Sequence, residues 1–267
     1  MQIIVQKFGG TSVGSISKIM KACELIEKEV KNGNQVIVVS SAMSGETNKL
    51  VSLAENFDVS KNKKEYDMIV STGEQVSIAL ISMALRKLGI AARPLLGWQV
   101  PILCNSEHTK AKINNIDSKK ILEIMKNKEI PIIAGFQGID ENNNIVTLGR
   151  GGSDTSAVAI AASISADRCD IYTDVDGIYT CDPRIVSKAK KLNRISYEEM
   201  LEFASLGAKV LQTRSVEMAM RHNVTVQVLS SQTGQKGTFL IKEDKKMEKE
   251  LVSGIAYTKD EANITLI

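Results

Sequence analysis

Histidine and aromatic side chains are scarce in this chain of 267 residues, with two histidines, one tryptophan, five tyrosines and five phenylalanines. Lys and Arg number 34 against 31 Asp and Glu, a formal net charge of only +3, and no basic stripe is interleaved with aromatics. Nucleic acid is therefore not the expected partner, because its recognition calls for clustered cations and stacking platforms. The two histidines, His108 and His222, lie far apart, and Cys23, Cys104, Cys169 and Cys181 show no CxxC spacing, so no metal-ligand set is expected. In a chain of this length, cysteines among apolar neighbours read as reduced core residues rather than a disulfide framework. No apolar run approaches the roughly 20 residues of a membrane helix, and Met1 to Phe8 is too short and interrupted for a signal peptide. The expectation is a soluble, cytoplasmic protein with no membrane partner.

What is present is ordinary globular material, 43% hydrophobic and 24% charged, enough for one large domain or two small ones. A β-rich run, Ile3 to Phe8, stops at Gly9-Gly10, and Ile16, Ile19, Met20, Cys23, Ile26 and Val30 then recur at helical spacing. The alternation continues with a strand at Gln35 to Val39, a helix at Glu46 to Asn56, and one long helical region from about Tyr66 to Leu88. β-like runs follow at Ala91 to Leu96 and Val100 to Cys104. Beyond them come a helix at Lys119 to Lys126, a buried strand at Ile130 to Phe136, and a turn at Asp140 to Asn144 leading to Ile145 to Leu148. An Ala-rich helix, Thr155 to Ala166, precedes the strand Cys169 to Thr173. Helices at Tyr197 to Ser205 and Ala208 to His222, then strands at Thr225 to Leu229 and Thr238 to Ile241, complete the pattern. Strands alternating with helices imply an α/β domain with a mostly parallel sheet, since parallel neighbours need crossover connections. The mixed-charge run Lys242 to Glu250 reads as a linker, and Leu251 to Ile267 as a β-like segment that begins something further.

Three glycine-bearing loops carry the chemical information, because backbone N–H groups exposed at such turns bind anions. In Lys7-Phe8-Gly9-Gly10-Thr11-Ser12, two glycines let the backbone approach a phosphate and Lys7 adds a positive charge; the lysine precedes the glycines, so this is not a Walker A loop. Gly149 to Asp154 departs from the dinucleotide fingerprint, since Asp154 stands at the third glycine position and would repel a pyrophosphate. Thr173-Asp174-Val175-Asp176-Gly177-Ile178-Tyr179 is rich in carboxylates at the end of an expected strand, where metal or ribose contacts fit. Singly, each loop is a common structural turn; it is their occurrence in one α/β chain that points to a phosphate-handling site.

With these residues in view, the sequence resembles the aspartokinases of the amino acid kinase family. Lys7 to Gly14 looks like the opening signature of that family. Gly149 to Asp154, with Thr173 to Arg184, is similar to its central signature, and Gly207-Ala208-Lys209-Val210-Leu211 matches its later lysine motif. Gln212-Thr213 departs from the His-Pro that many relatives carry there. The resemblance covers residues 2 to about 241. It implies an open αβα sandwich around a mainly parallel eight-stranded sheet, and phosphorylation of L-aspartate by ATP, with Mg²⁺, to 4-phosphoaspartate and ADP, the step that opens lysine, threonine and methionine biosynthesis. By this carry-over Lys7, Asp154 and Lys209 are catalytic. Phe8, Gly9 and Gly10 join Lys7 and Lys209 around the phosphates, and Thr173, Asp174, Tyr179, Arg184 and Val210 line the nucleotide site. Ser41, Thr47, Glu74, Thr147, Arg150, Gly151, Gly152 and Ser153 match aspartate-binding positions. Arg150 would meet a carboxylate as a fork and Glu74 would neutralise the α-ammonium. The implied organisation is a catalytic domain over residues 1–241, a linker over 242–250 and the start of an ACT-like regulatory domain over 251–267, in a homo-oligomer, a dimer. The competing readings are a sibling kinase acting on another acceptor and a non-catalytic sensor of the same fold.

Overall fold

A computed structural model describes residues 1–206, 210–243 and 254–255. The first strand, β1 (Ile3–Phe8), is buried along nearly its whole length. Both of its neighbours run parallel to it: β2 (Gln35–Ser40) on one side and β9 (Arg168–Thr173) on the other. Outward from β2 lie β6 (Ile130–Ala134) and β3 (Ala92–Leu95), and outward from β9 lie β11 (Val226–Ser230), β12 (Thr238–Ile241) and β10 (Arg194–Ser196). The result is an eight-stranded sheet in which only the β11–β12 pair is antiparallel. This is the mainly parallel α/β sheet expected from the alternation.

Side chains alternate across the sheet, as the two-residue period of a strand requires. Phe8, Val36, Val38 and Tyr172 meet α1 (Ile16–Lys31) and α4 (Thr72–Lys87) on one face. Val5, Ile37, Val39, Cys169 and Ile171 point to the other face, which is covered by α5 (Lys119–Lys126), α6 (Gly152–Ser163), α7 (Tyr197–Ser205) and α8 (Thr213–His222). Helix α1 starts on Ser15, whose hydroxyl accepts from the Lys18 amide, and α7 starts on a reciprocal Ser196–Glu199 capping box; each satisfies donors that the first turn leaves free. Helix α6 is buried through most of its length, consistent with its Ala-rich composition.

Several elements differ from the sequence-based expectation. A second, four-stranded sheet, β5 (Ile113–Ile116), β4 (Ile102–Cys104), β7 (Gln137–Ile139) and β8 (Ile145–Thr147), stands beside the main one. The expected single helix from Tyr66 is divided into α3 (Lys63–Val70) and α4, while α2 (Glu46–Ala54) is close to expectation. The stretch Lys63–Lys87 is long and apolar enough, by length and composition, to cross a bilayer, contrary to the expectation that no such run exists, and half of that window is buried inside the fold. Helix α6 begins at Gly152 rather than Thr155, which puts Ser153 and Asp154 in its first turn. Helix α8 begins at Thr213, so Val210 to Gln212 are not helical. The expected linker lies mostly, and the expected regulatory start almost wholly, outside the described residues; within the latter, the Ile255 amide donates to the Thr180 carbonyl at 2.7 Å.

Candidate active site

The C-terminal ends of β1, β2, β6 and β9 lie side by side, and β1 is where the strand order reverses direction along the chain. In open α/β sheets that crevice is where ligands collect. Backbone hydrogen bonds knit the loops above it together. The Gly9 amide donates to the Tyr172 carbonyl at 3.2 Å, the Ser41 amide to Phe8 at 3.0 Å, the Ser44 amide to Gly10 at 3.1 Å and the Gly135 amide to Ser40 at 3.0 Å. Gly10 must be glycine for steric reasons: a Cβ there would stand 2.8 Å from the Ala42 carbonyl oxygen. Phe8 is fully buried and its ring stacks on Tyr172, 4.7 Å between centroids, which fixes the end of β1 against β9.

Lys7 is in phase with Val5, so its side chain rises on the α6 face, where Asp154 waits in the first turn of that helix. The Lys7 Nζ–Asp154 Oδ1 distance is 2.6 Å, with both side chains about nine-tenths buried. The same Nζ is 3.4 Å from the position a Cβ on Gly9 would take, so the ammonium hangs over the glycine turn. An acid at a helix N-terminus is favoured by the helix dipole, and here it also holds the lysine in one place. The turn into α6 depends on Gly151, whose φ of +71° is one that residues with a Cβ rarely adopt. Ser153 packs on Gly135, where a Cβ would come within 2.8 Å of it. Gly152 is buried against Phe136, and Arg150 is exposed with no ion-pair partner among the described residues.

Glu74 sits in the first turn of α4, 3% exposed. Its Oε1 accepts from the Ala42 amide at 2.9 Å, while Oε2 has no partner among the described residues. Burial pushes the carboxyl up from its ordinary 4.5 to about 7, against the lowering effect of its backbone hydrogen bonds. Glu74, Ala42 and Gly10 thus form a continuous contact from α4 to the glycine turn. Ser41, at the start of the β2–α2 connection, and Thr47, in the first turn of α2, are both half-buried. Thr147, buried at the end of β8, donates its hydroxyl to Asp67 Oδ1 at 2.5 Å, so towards a ligand it can only accept.

On the far side of β1, Thr173 ends β9, its hydroxyl donating to Asp174, and its carbonyl accepts from the amide and hydroxyl of Ser231. The exposed Asp174 shares a cleft of about 60 Å³ with Thr11, Ser12, Lys18 and Ser231. Lys18 and Ser231 were not singled out by the sequence; Lys18 reads there as one more exposed residue of α1. Tyr179 donates its hydroxyl to Asp176 at 3.0 Å, and Arg184, largely exposed, pairs with Asp182 at 2.7 Å. Val210 packs partly buried on the core; Lys209 lies outside the described residues. The exposed Asp174, beside the Thr11–Ser12 turn, is a donor that would fit a magnesium ion held by one carboxylate together with substrate phosphates.

The arrangement has relatives. The profile of the amino acid kinase family matches residues 2–230. An aspartate kinase from Pseudomonas putida is 53% identical over all of this chain, which spans 65% of that relative's length. Among solved structures, Synechocystis aspartate kinase superposes with a TM-score of 0.80 at 44% identity, over 90% of this chain and 40% of that one. Escherichia coli aspartokinase III in complex with aspartate and ADP gives 0.83 at 28% identity, over 92% of this chain and 66% of that one. With a profile match that runs from β1 to the last residue of β11 and takes in the glycine loops at Gly9–Gly10 and Gly149–Asp154, the chain belongs to the amino acid kinase family.

Proposed function

We propose that this chain is the catalytic part of an aspartate kinase, moving the γ-phosphoryl group of ATP to the β-carboxylate of L-aspartate. Glu74 carries the reading. A carboxylate this deeply buried, with one oxygen unpartnered and next to the glycine turn, calls for a cationic partner, and the α-ammonium of an amino acid supplies one. Arg150, exposed at the other side of the α6 turn, offers a two-pronged donor to the substrate's α-carboxylate. Ser41, Thr47, Thr147, Gly151, Gly152 and Ser153 complete the amino-acid end in this proposal. Phe8, Gly9, Gly10, Thr173, Asp174, Tyr179, Arg184 and Val210 serve the nucleotide.

The nucleophile needs no base, because an aspartate side chain with a pKa of about 4 is ionised at neutral pH. Its oxygen forms a bond to the γ-phosphorus as the bond to the bridging oxygen breaks, giving 4-phosphoaspartate and ADP. The obstacle is electrostatic, one anion approaching another. Lys7, steadied by Asp154, places a positive charge beside the glycine turn before the reaction begins, and Lys209 is proposed to add a second. Mg²⁺ bound with the nucleotide supplies further charge neutralisation. The test is aspartate-dependent ADP release, with the acyl phosphate captured by hydroxylamine; folded protein that yields no hydroxamate refutes the proposal.

A further inference from the structure

Asp67 belongs to none of the three loops, yet it is fully buried on α3 and accepts hydrogen bonds from three directions. Thr147 donates its hydroxyl at 2.5 Å, His108 Nδ1 lies at 2.7 Å, and the Thr109 amide reaches both oxygens at 3.1 and 3.2 Å. A carboxylate only accepts, so the His108 hydrogen is on Nδ1. The imidazole is itself nine-tenths buried. These contacts join three segments that are distant in sequence: α3, the loop before β5, and the end of β8.

Thr109 has φ +72°, a conformation that a β-branched residue adopts only when its surroundings impose it. What imposes it here is the pull of Asp67 on the Thr109 amide from one side and Gly149 on the other. Gly149 is itself at φ +75°, and a Cβ on it would stand 3.0 Å from the Thr109 carbonyl oxygen. The Ala111 amide donates to the Thr147 carbonyl at 2.9 Å. From the opposite side the Arg214 guanidinium holds the carbonyls of Leu148 and Ala111. The turn that carries Arg150 is thus gripped through its residues 147–149, while α3 leads within a few residues into the turn of α4 that carries Glu74.

We propose that Asp67 and His108 are positioning residues, which fix the Thr147–Arg150 turn relative to Glu74 and so set the spacing at which the site receives the two charged groups of an amino acid. Neither needs to touch substrate. The inference rests on the aspartate-kinase reading only for the identity of that amino acid. Misplacing a binding group by about 1 Å can cost about 100-fold, so loss of the imidazole should raise the KM for aspartate roughly tenfold or more while the KM for ATP stays put.

The experiment compares wild type, His108→Ala and His108→Asn in steady-state assays with each substrate varied, alongside backbone amide exchange over residues 147–152. Asn can place its side-chain N–H near the Nδ1 position, so His108→Asn should recover most of the aspartate KM. In His108→Ala, exchange at 147–152 should accelerate while exchange in β1 and β9 is unchanged. A purely structural role predicts fewer active molecules with both KM values unaltered, and that result overturns the proposal, as does an equal rise in both KM values or unaltered exchange at 147–152. If His108→Ala does not fold, Asp67→Asn, which keeps the size and removes the charge, carries the same comparison. A wild type without aspartate-dependent ADP release would refute the function instead, and the exchange measurement would then decide the positioning proposal alone.

Discussion

Replacing Glu74 by Gln should stabilise the protein at alkaline pH relative to wild type and at the same time blunt its response to aspartate. Burial raises the Glu74 carboxyl from 4.5 to about 7, so between those values the folded protein keeps a proton that the unfolded chain has released. Folding stability therefore declines as pH rises through that window and levels off above it. The displacement corresponds to at most about 3 kcal/mol. Glu74→Gln does not titrate, so the stability difference between the two proteins, measured by urea unfolding from pH 4.5 to 8, should drift by up to about 3 kcal/mol in favour of the variant. Binding moves the opposite way. The glutamine amide can still accept from Ala42 but cannot pair with an ammonium, and losing a hydrogen bond between charged groups, about 1.5–3 kcal/mol, corresponds to roughly 10–100-fold in aspartate kcat/KM. In wild type, aspartate kcat/KM should fall about tenfold per pH unit below about 7, as the free carboxyl takes up its proton. The variant should lack that limb. Parallel stability curves, or aspartate kinetics that the substitution leaves unchanged, would refute the reasoning.

Lys7→Ala should lower kcat about 100–1000-fold with little effect on aspartate KM, because a charge beside the transferring phosphoryl group acts mainly in the transition state; a change confined to KM would show that the lysine serves binding alone. Arg150→Lys keeps the charge and loses the fork, so aspartate should bind about tenfold more weakly while ATP affinity holds. Equal losses for both substrates would move Arg150 to the phosphates. Gly10→Ala forces a Cβ to within 2.8 Å of the Ala42 oxygen and should destabilise by about 1–3 kcal/mol, whereas at Gly9 the nearest atom is 3.4 Å away and alanine should fold normally. Thermal unfolding of the two variants separates these cases.

Local pattern revealed the large features and missed those made by distant residues. β1, α1, β2 and β9 announce themselves because apolar periodicity and glycine breaks coincide. β5 does not: its sequence, Ile-Asn-Asn-Ile, is polar at the centre, and β10 has only three residues. Of the second sheet, β4 and β8 are visible as short runs, but β5 and β7 are not, and with pieces of three or four residues nothing local pairs them into a sheet. At the site, the glycine loops were legible since phosphate binding needs backbone at fixed local spacing. The partnership of Asp67 with His108 and Thr147 spans 41 and 80 residues, and single side chains at such separations leave no periodicity to detect. Glu74 is marked only by the family resemblance, since local pattern makes it a first-turn acid; its depth of burial and its unpartnered oxygen are visible only in the structure.

The position of β1 has a consequence for how the chain comes into being. Its neighbour β2 follows after one helix, but its other neighbour, β9, pairs Arg168 with Ile4. As the chain leaves the ribosome at roughly 5–20 residues per second, β1 has one open flank for about 10–30 s before β9 can arrive. During that interval a strand with four apolar residues in six presents unpaired amides and carbonyls, the kind of edge that templates association with another nascent chain. Lys7 is the one charge in that strand and stands near its end, so the residue proposed to serve the phosphates also interrupts what would otherwise be a sticky ribbon during synthesis. The crevice itself has no second wall until β9 docks, and pairings of such long sequence separation make for slow folding.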